Sequence, residues 1–274
     1  MPTVHVRGID LAFDDHGSGP AVLLVHGHPF DRSMWDPQVE AFAGRYRLVV
    51  PDLRGYGATT VPDGTTLLDE VALDLAHLLD HLGVERAVVC GLSMGGQVTM
   101  EFARLFPDRL SGLVLCDTDA RAETPESYDA RLAMAALLER EGMERYVEDG
   151  LADFLHARTF EERPGVVAHM RRMMHAAPPL GAARLQRGRA ERRDHTAALG
   201  ALGVPALVVT GEADPFTPVE TARHIAEAVP DAELVVVEGA GHMPNLEAVA
   251  DFNDALGAYL SRATAAGALI TAIR

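Results

Sequence analysis

The chain has 274 residues, 48% hydrophobic and 23% charged, which is enough for one large core or one core plus a small inserted unit. A formal net charge of −16 repels a phosphate backbone and excludes nucleic acid as an expected partner. No window approaches the ~18–20 apolar residues that a membrane span needs, and the start, Met1-Pro2-Thr3-Val4, has no basic segment followed by an apolar stretch, so a cytoplasmic protein without membrane contact is expected.

In chain order, Val4, Val6, Ile9, Leu11 and Phe13 alternate and predict an antiparallel hairpin at a sheet edge. Gly17-Ser18-Gly19-Pro20 is turn chemistry, and residues 21–25 then form a continuous apolar run of the kind buried on both faces. Residues 33–42 have helical spacing, 47–50 are a short strand ended by Pro51-Asp52, and 54–65 read as loop. Leucine, valine and alanine recur at three and four residues over 67–82, an amphipathic helix closed by Gly83. Strands follow at 87–90 and 112–116 with a helix over 94–106 between them.

Residues 120–195 break this rhythm, with helical patterns at 126–141, 143–157, 164–176 and 179–192 and no strand-like run. They read as a helical insertion, leaving 1–119 and 196–274 as the α/β core. Strands return at 206–210 and 234–237, with helices over 218–228 and about 245–262. Strands alternating with helices imply a mostly parallel sheet covered on both faces. The last dozen residues, from Arg262, are alanine-rich and poorly patterned and predict a fraying end. Cys90 and Cys116 each close an apolar run and are expected as buried free thiols.

The strongest chemical signal is Gly91-Leu92-Ser93-Met94-Gly95-Gly96, a G-x-S-x-G pattern between an apolar strand and a helical pattern. A serine at such a sharp turn holds a strained backbone, and small neighbours let helix and strand approach. The turn lifts the hydroxyl out of the sheet, above a helix N-terminus that favours developing negative charge. Ser93 is therefore the candidate nucleophile. It needs a base, and the base needs an orienting acid, in the chain order serine, acid, histidine. Two strand ends supply them: Gly211-Glu212-Ala213-Asp214-Pro215 gives Asp214 as the acid, and Glu238-Gly239-Ala240-Gly241-His242 gives His242 as the base. Glu212, Asp117 and Asp119 read as solvated loop carboxylates or helix caps.

An oxyanion needs two amide donors. The amide of Met94 and that of His28, in the loop Val25-His26-Gly27-His28-Pro29, are the candidates; Pro29 has no N–H and only stiffens the loop. His26 and His28 at i and i+2 lack a third ligand of matching spacing, so no metal site is expected; His26 is read as a buried histidine bonded to the loop backbone, and the orientation of the His28 ring is open. Trp35 reads as core with substrate contact as the alternative, and Met170, Met173 and Met174 read either as helix core or as a deformable apolar roof over the serine.

Together the His26-Gly27-x-Pro29 loop, Asp52-Leu53-Arg54-Gly55-Tyr56-Gly57, the Ser93 turn, Gly211-Glu212-Ala213-Asp214 and Gly239-Ala240-Gly241-His242-Met243-Pro244 resemble the α/β-hydrolase superfamily over nearly the whole chain. The resemblance implies an eight-stranded, mostly parallel sheet with a helical cap at 120–195, and it places acid, base and oxyanion donors on Asp214, His242, Met94 and His28. Within the superfamily the chain looks most like small bacterial esterases, cofactor-free haloperoxidase-like (per)hydrolases and enol-lactonases. Leu113-Val114-Leu115-Cys116-Asp117-Thr118-Asp119-Ala120 is similar to the last of these, and His28 stands where relatives usually carry an aromatic or aliphatic residue. The implied activity is hydrolysis of a small ester or lactone, with no metal or organic cofactor. The alternatives are cleavage of a carbon–carbon bond by the same triad, or a ligand-binding signalling protein that retains it.

Overall fold

The computed structural model describes residues 2–271. Eight strands form one sheet in the order β1-β2-β4-β3-β5-β6-β7-β8. β1 (Thr3–Val6) and β2 (Ile9–His16) are the expected hairpin, with Val6 opposite Ile9 across an Arg7–Gly8 turn. β2 is antiparallel to both neighbours, and every other pairing is parallel. β3 (Ala21–Val25), β4 (Arg47–Pro51), β5 (Ala87–Leu92), β6 (Leu110–Cys116) and β7 (Ala206–Gly211) are almost wholly buried, as their unbroken apolar runs predict; β8 (Glu233–Val237) is the more exposed edge. Cys90 and Cys116 are buried free thiols on adjacent strands.

Helices cover both faces. α1 (Asp36–Phe42), α2 (Leu68–His81) and α3 (Met94–Leu105) follow the first strands; α2 packs on α3, and its Val71, Leu75, Leu78 and Leu79 are all buried. Burying each such side chain contributes about 1.5–3 kcal/mol. Between β6 and β7 come α4 (Pro125–Glu141), α5 (Glu144–Phe154), α6 (Ala157–Glu162), α7 (Pro164–Ala176), α8 (Pro179–Ala190) and the short α9 (Thr196–Gly200). α10 (Val219–Ala228), α11 (Pro244–Glu247) and α12 (Val249–Thr271) complete the chain. No helix of the described residues is long and apolar enough to cross a membrane.

Three expected helices are broken. The helix expected over 143–157 ends at Phe154, where Leu155 turns extended, and α6 restarts with the His156 ring accepting from the Arg158 amide at 3.1 Å. The one expected over 245–262 is divided at Ala248 (φ −134°), and the one over 33–42 begins as a 3-10 turn, Arg32–Trp35. α12 continues past Arg262 to Thr271, so of the expected fraying end only 272–274 lie outside the described residues.

α8 lies unusually close to the core. A Cβ on Gly181 would stand 1.9 Å from the Gly55 carbonyl oxygen, and one on Gly188 would stand 1.7 Å from that of Thr66. The two glycines are two turns apart on one helix face, so that face meets two loops backbone to backbone. The Thr66 amide donates to the Arg184 carbonyl at 3.2 Å along the same seam.

Candidate active site

Ser93 links β5 to α3 with φ 57° and ψ −118°, a conformation that costs a non-glycine residue about 1–3 kcal/mol. The end of β6 holds it there: the Ser93 amide donates to the Cys116 carbonyl at 2.8 Å, and the Thr118 hydroxyl donates to the Ser93 carbonyl at 2.7 Å. Gly95 is required by contact, since a Cβ there would stand 2.2 Å from the Val25 carbonyl oxygen. These restraints aim the serine side chain off the carboxyl ends of the parallel strands, where folds of this kind place their clefts.

Asp214 and His242 leave the ends of β7 and β8. His242 Nδ1 donates to Asp214 Oδ2 at 2.8 Å, and both side chains are buried. Asp214 Oδ1 accepts the Phe216 amide at 2.9 Å, and Oδ2 also accepts the Thr217 hydroxyl. Burial opposes the Asp214 charge, but His242 and these donors outweigh it and hold the carboxyl below its usual range. With Nδ1 committed, the free lone pair of a neutral imidazole lies on Nε2, which is the arrangement a general base needs. Phe154 and Phe216 meet the ring edge to face, with centroids 5.7 and 5.0 Å away.

Glu247, which carried no sequence signal, fixes the histidine loop. Its Oε1 accepts the amides of Gly241 and Met243 at 2.9 and 3.2 Å, on either side of His242. Its Oε2 accepts the His156 amide at 2.6 Å and the Thr159 hydroxyl at 2.7 Å, joining that loop to α6. The His242 amide donates in turn to the Phe154 carbonyl at 3.0 Å.

The loop after β3 is equally determined. The Leu53 amide donates to His26 Nε2 at 2.9 Å, so the ring proton sits on Nδ1 and donates to the Gly27 carbonyl, also at 2.9 Å. Both nitrogens are used, which leaves no lone pair for a metal and matches the reading of His26 as a histidine tied to the loop backbone. The His28 ring, whose direction was open, lines a cavity beside Tyr146 and shares a 2.6 Å hydrogen bond through Nδ1 with the Tyr56 hydroxyl. Burial first, then the charges of Arg189 and Arg131, push its pKa well down, so the ring is neutral. His28 Nε2 is buried without a partner.

Asp117 is not the solvated carboxylate its position implied. It is buried at a φ of 44°, and its Oδ1 accepts the Gly211 amide at 2.8 Å. Burial, reinforced by the nearby charge of Asp214, pushes its pKa well above the ordinary value. Oxygen and nitrogen atoms of Asp117, Asp214 and His242 lie within 4.8 Å of one another. The Asp214 oxygens and His242 Nδ1 are already bonded to each other and to their neighbours, a hydrogen-bonded relay rather than an open ligand set. Glu212 accepts the Gly239 amide at 3.0 Å, and Asp119 pairs with Arg121 at 2.9 Å.

A cavity of about 470 Å³ opens over Ser93 and His242. Tyr146 and Phe154 from α5, Arg131 from α4 and Arg189 from α8 form its far wall. None of the four side chains expected to contact substrate lies on it. Trp35 is fully buried against Phe252, with ring centroids 6.3 Å apart, and Met170, Met173 and Met174 are core of the helical segment, away from the cavity lining. The wall over the serine is aromatic and arginine-rich, not a methionine roof.

The sequence profile of the alpha/beta hydrolase fold family matches residues 20–249. A thermophilic esterase from Thermogutta terrifontis, solved with malate bound, superposes with a TM-score of 0.92 at 41% identity, covering 95% of this chain and 97% of that one. The enol-lactonase from Burkholderia xenovorans superposes with a TM-score of 0.89 at 30% identity, covering 95% and 100%. The 3-oxoadipate enol-lactonase 2 of Acinetobacter baylyi is 29% identical over 270 residues, 96% of this chain and 99% of the relative. With a profile match over most of its length and relatives aligned nearly end to end, the chain belongs to the alpha/beta hydrolase fold family.

Proposed function

We propose that this protein is a serine hydrolase that cleaves a small carboxylic ester or lactone through an acyl-enzyme on Ser93. The observation that carries this reading is the buried 2.8 Å bond from His242 to Asp214, which opens with Ser93 on one cavity. Ser93 Oγ attacks the carbonyl carbon while His242 Nε2 takes its proton. The tetrahedral oxyanion sits on the amides of His28 and Met94, neither of which donates to another described residue. Collapse expels the alcohol, which takes the proton from His242; water then attacks the acyl-enzyme by the same route and frees the acid. Asp214 stays ionised and stabilises the imidazolium. Helices within 120–195 act as a cap, as supported by Tyr146, Phe154 and Arg189 on the cavity wall. Esterases and enol-lactonases among the relatives fit the same substrate classes.

The test is a p-nitrophenyl ester series from acetate to octanoate on the wild type and Ser93→Ala. The wild type is expected to prefer short chains, and the variant to lose about 10³-fold or more in kcat. Equal rates in the two proteins would end the nucleophile assignment.

A further inference from the structure

The chain carries a net charge of −16, yet four arginines, 121, 131, 189 and 192, line the cavity over Ser93. Two carboxylates answer three of them. Asp119 pairs with Arg121 at 2.9 Å, and Glu123 is shared by Arg131 and Arg192 at 2.5 and 2.6 Å. Asp117, the remaining acid of the lining, is turned to the Gly211 amide at 2.8 Å, and burial pushes its pKa well up.

Arg189 is the exception. It is 8% exposed, and among the described residues no carboxylate oxygen lies within 4.0 Å of its guanidinium. Its one hydrogen bond runs from Nε to the Gln97 side-chain oxygen at 3.0 Å. Burial and the nearby charges of Arg131 and Arg192 push its pKa well down. A guanidinium nevertheless stays protonated in a protein. An uncompensated buried cation is costly to a fold, and this one lies where a substrate must sit.

Its position also fixes a distance. Gln97 is four residues beyond Ser93 on α3, and its amide donates to the Ser93 carbonyl at 3.1 Å. The residue that holds Arg189 thus starts about one helical turn, ~6 Å along the axis, from the nucleophile's backbone. The unpartnered Nε2 of His28 and the Gln186 amide share the cavity wall and offer neutral polar contacts.

Resting on the hydrolase reading above, we propose that the substrate carries a carboxylate a few bonds from its scissile carbonyl, and that Arg189 binds it. The substrate class is then the half-ester of a short dicarboxylic acid. A single unpaired guanidinium suits a monoanion, and bidentate pairing to a carboxylate uses the two terminal nitrogens that the Gln97 bond leaves free.

The experiment has two arms. In the first, kcat/KM is measured for mono-p-nitrophenyl succinate and for p-nitrophenyl butyrate, close in size and differing in charge. The wild type should prefer the anion, and Arg189→Gln should lower the anion-to-neutral ratio by about 10- to 100-fold, the worth of a charge-assisted hydrogen bond. In the second, glutarate is titrated into Ser93→Ala with and without Arg189→Gln, read as a shift in melting temperature. Glutarate should raise Tm only where Arg189 is present. Arg189→Gln should itself melt no lower than its parent, because it removes an unpaired buried charge. Cleavage of both esters with an unchanged ratio, together with no glutarate shift, would overturn the anion site and leave the hydrolase reading intact. A glutarate shift that needs Arg189, in a protein that cleaves neither ester, would sustain the anion site and sink the hydrolase reading.

Discussion

Replacing Glu247 by glutamine keeps the volume and exchanges one carboxylate oxygen for an NH₂ group. Four donors converge on this buried side chain: three backbone amides, from Gly241, Met243 and His156, and the Thr159 hydroxyl. Glutamine can keep its oxygen on one pair only. If it faces Gly241 and Met243, the NH₂ meets the His156 amide and the Thr159 hydroxyl. The hydroxyl can rotate to accept, but the amide is stranded at about 1–3 kcal/mol. The bonds that survive lose their charge assistance, so the total is about 3 kcal/mol. At ~2–4 °C per kcal/mol for a chain of this size, Tm falls by about 6–12 °C. Urea and thermal unfolding measure the loss, and kcat on a short p-nitrophenyl ester shows whether the His242 loop has loosened with it. A Glu247→Gln variant that melts within about 1 °C of the wild type would refute the assignment of this carboxylate as the tie between the histidine loop and α6.

Asp117→Asn tests the buried acid beside Asp214 and His242. Its pKa is raised in the folded chain, so from the ordinary carboxylate value of about 4 upward the unfolded chain gives up a proton that the folded chain retains, and wild-type stability falls as pH rises across that window. Asparagine keeps an acceptor for the Gly211 amide and does not titrate, so its stability relative to the wild type should rise as pH is raised from the ordinary carboxylate value of about 4; urea unfolding at a series of pH values above it checks this, and a constant difference would contradict it. Gly95→Ala forces a Cβ to within 2.2 and 2.7 Å of the backbone oxygens of Val25 and His26, so α3 and β3 must separate. A loss of about 3 kcal/mol in urea unfolding is expected, and an unchanged midpoint would disprove the close approach.

The parts legible in the sequence are those where chain order and chemistry coincide at a strand end. Ser93, Asp214 and His242 each follow an apolar run within a few residues, so a parallel sheet brings them to one edge and the pattern names them before their contacts are known. The central strands were legible because short unbroken apolar runs bounded by turn residues are what a sheet buried on both faces requires. The surroundings of these three residues were not. Glu247 acts on backbone amides, and an amide is the same in every residue, so no motif marks its targets. Met170, Met173 and Met174 show the correct helical period, but periodicity says only that a face is buried, not what it is buried against. Arg189 stands among many arginines of the insertion, and only packing shows which one is buried on the cavity without a carboxylate. The break at Leu155 is likewise a tertiary effect, since the His156 amide is taken by Glu247, more than ninety positions along the chain.

The seam between α8 and the loops at Gly55 and Thr66 bears on how the enclosure over Ser93 admits its visitors. Backbone abutting backbone leaves no side chains to slide or repack, so α8 cannot serve as a pivot and travels with the sheet as a fixed wall. Arg189, one residue beyond Gly188, therefore keeps a constant bearing on the serine. A transplant of the helical segment from a relative would have to bring a matching pair of small residues on α8, or the wall would stand off and the guanidinium with it.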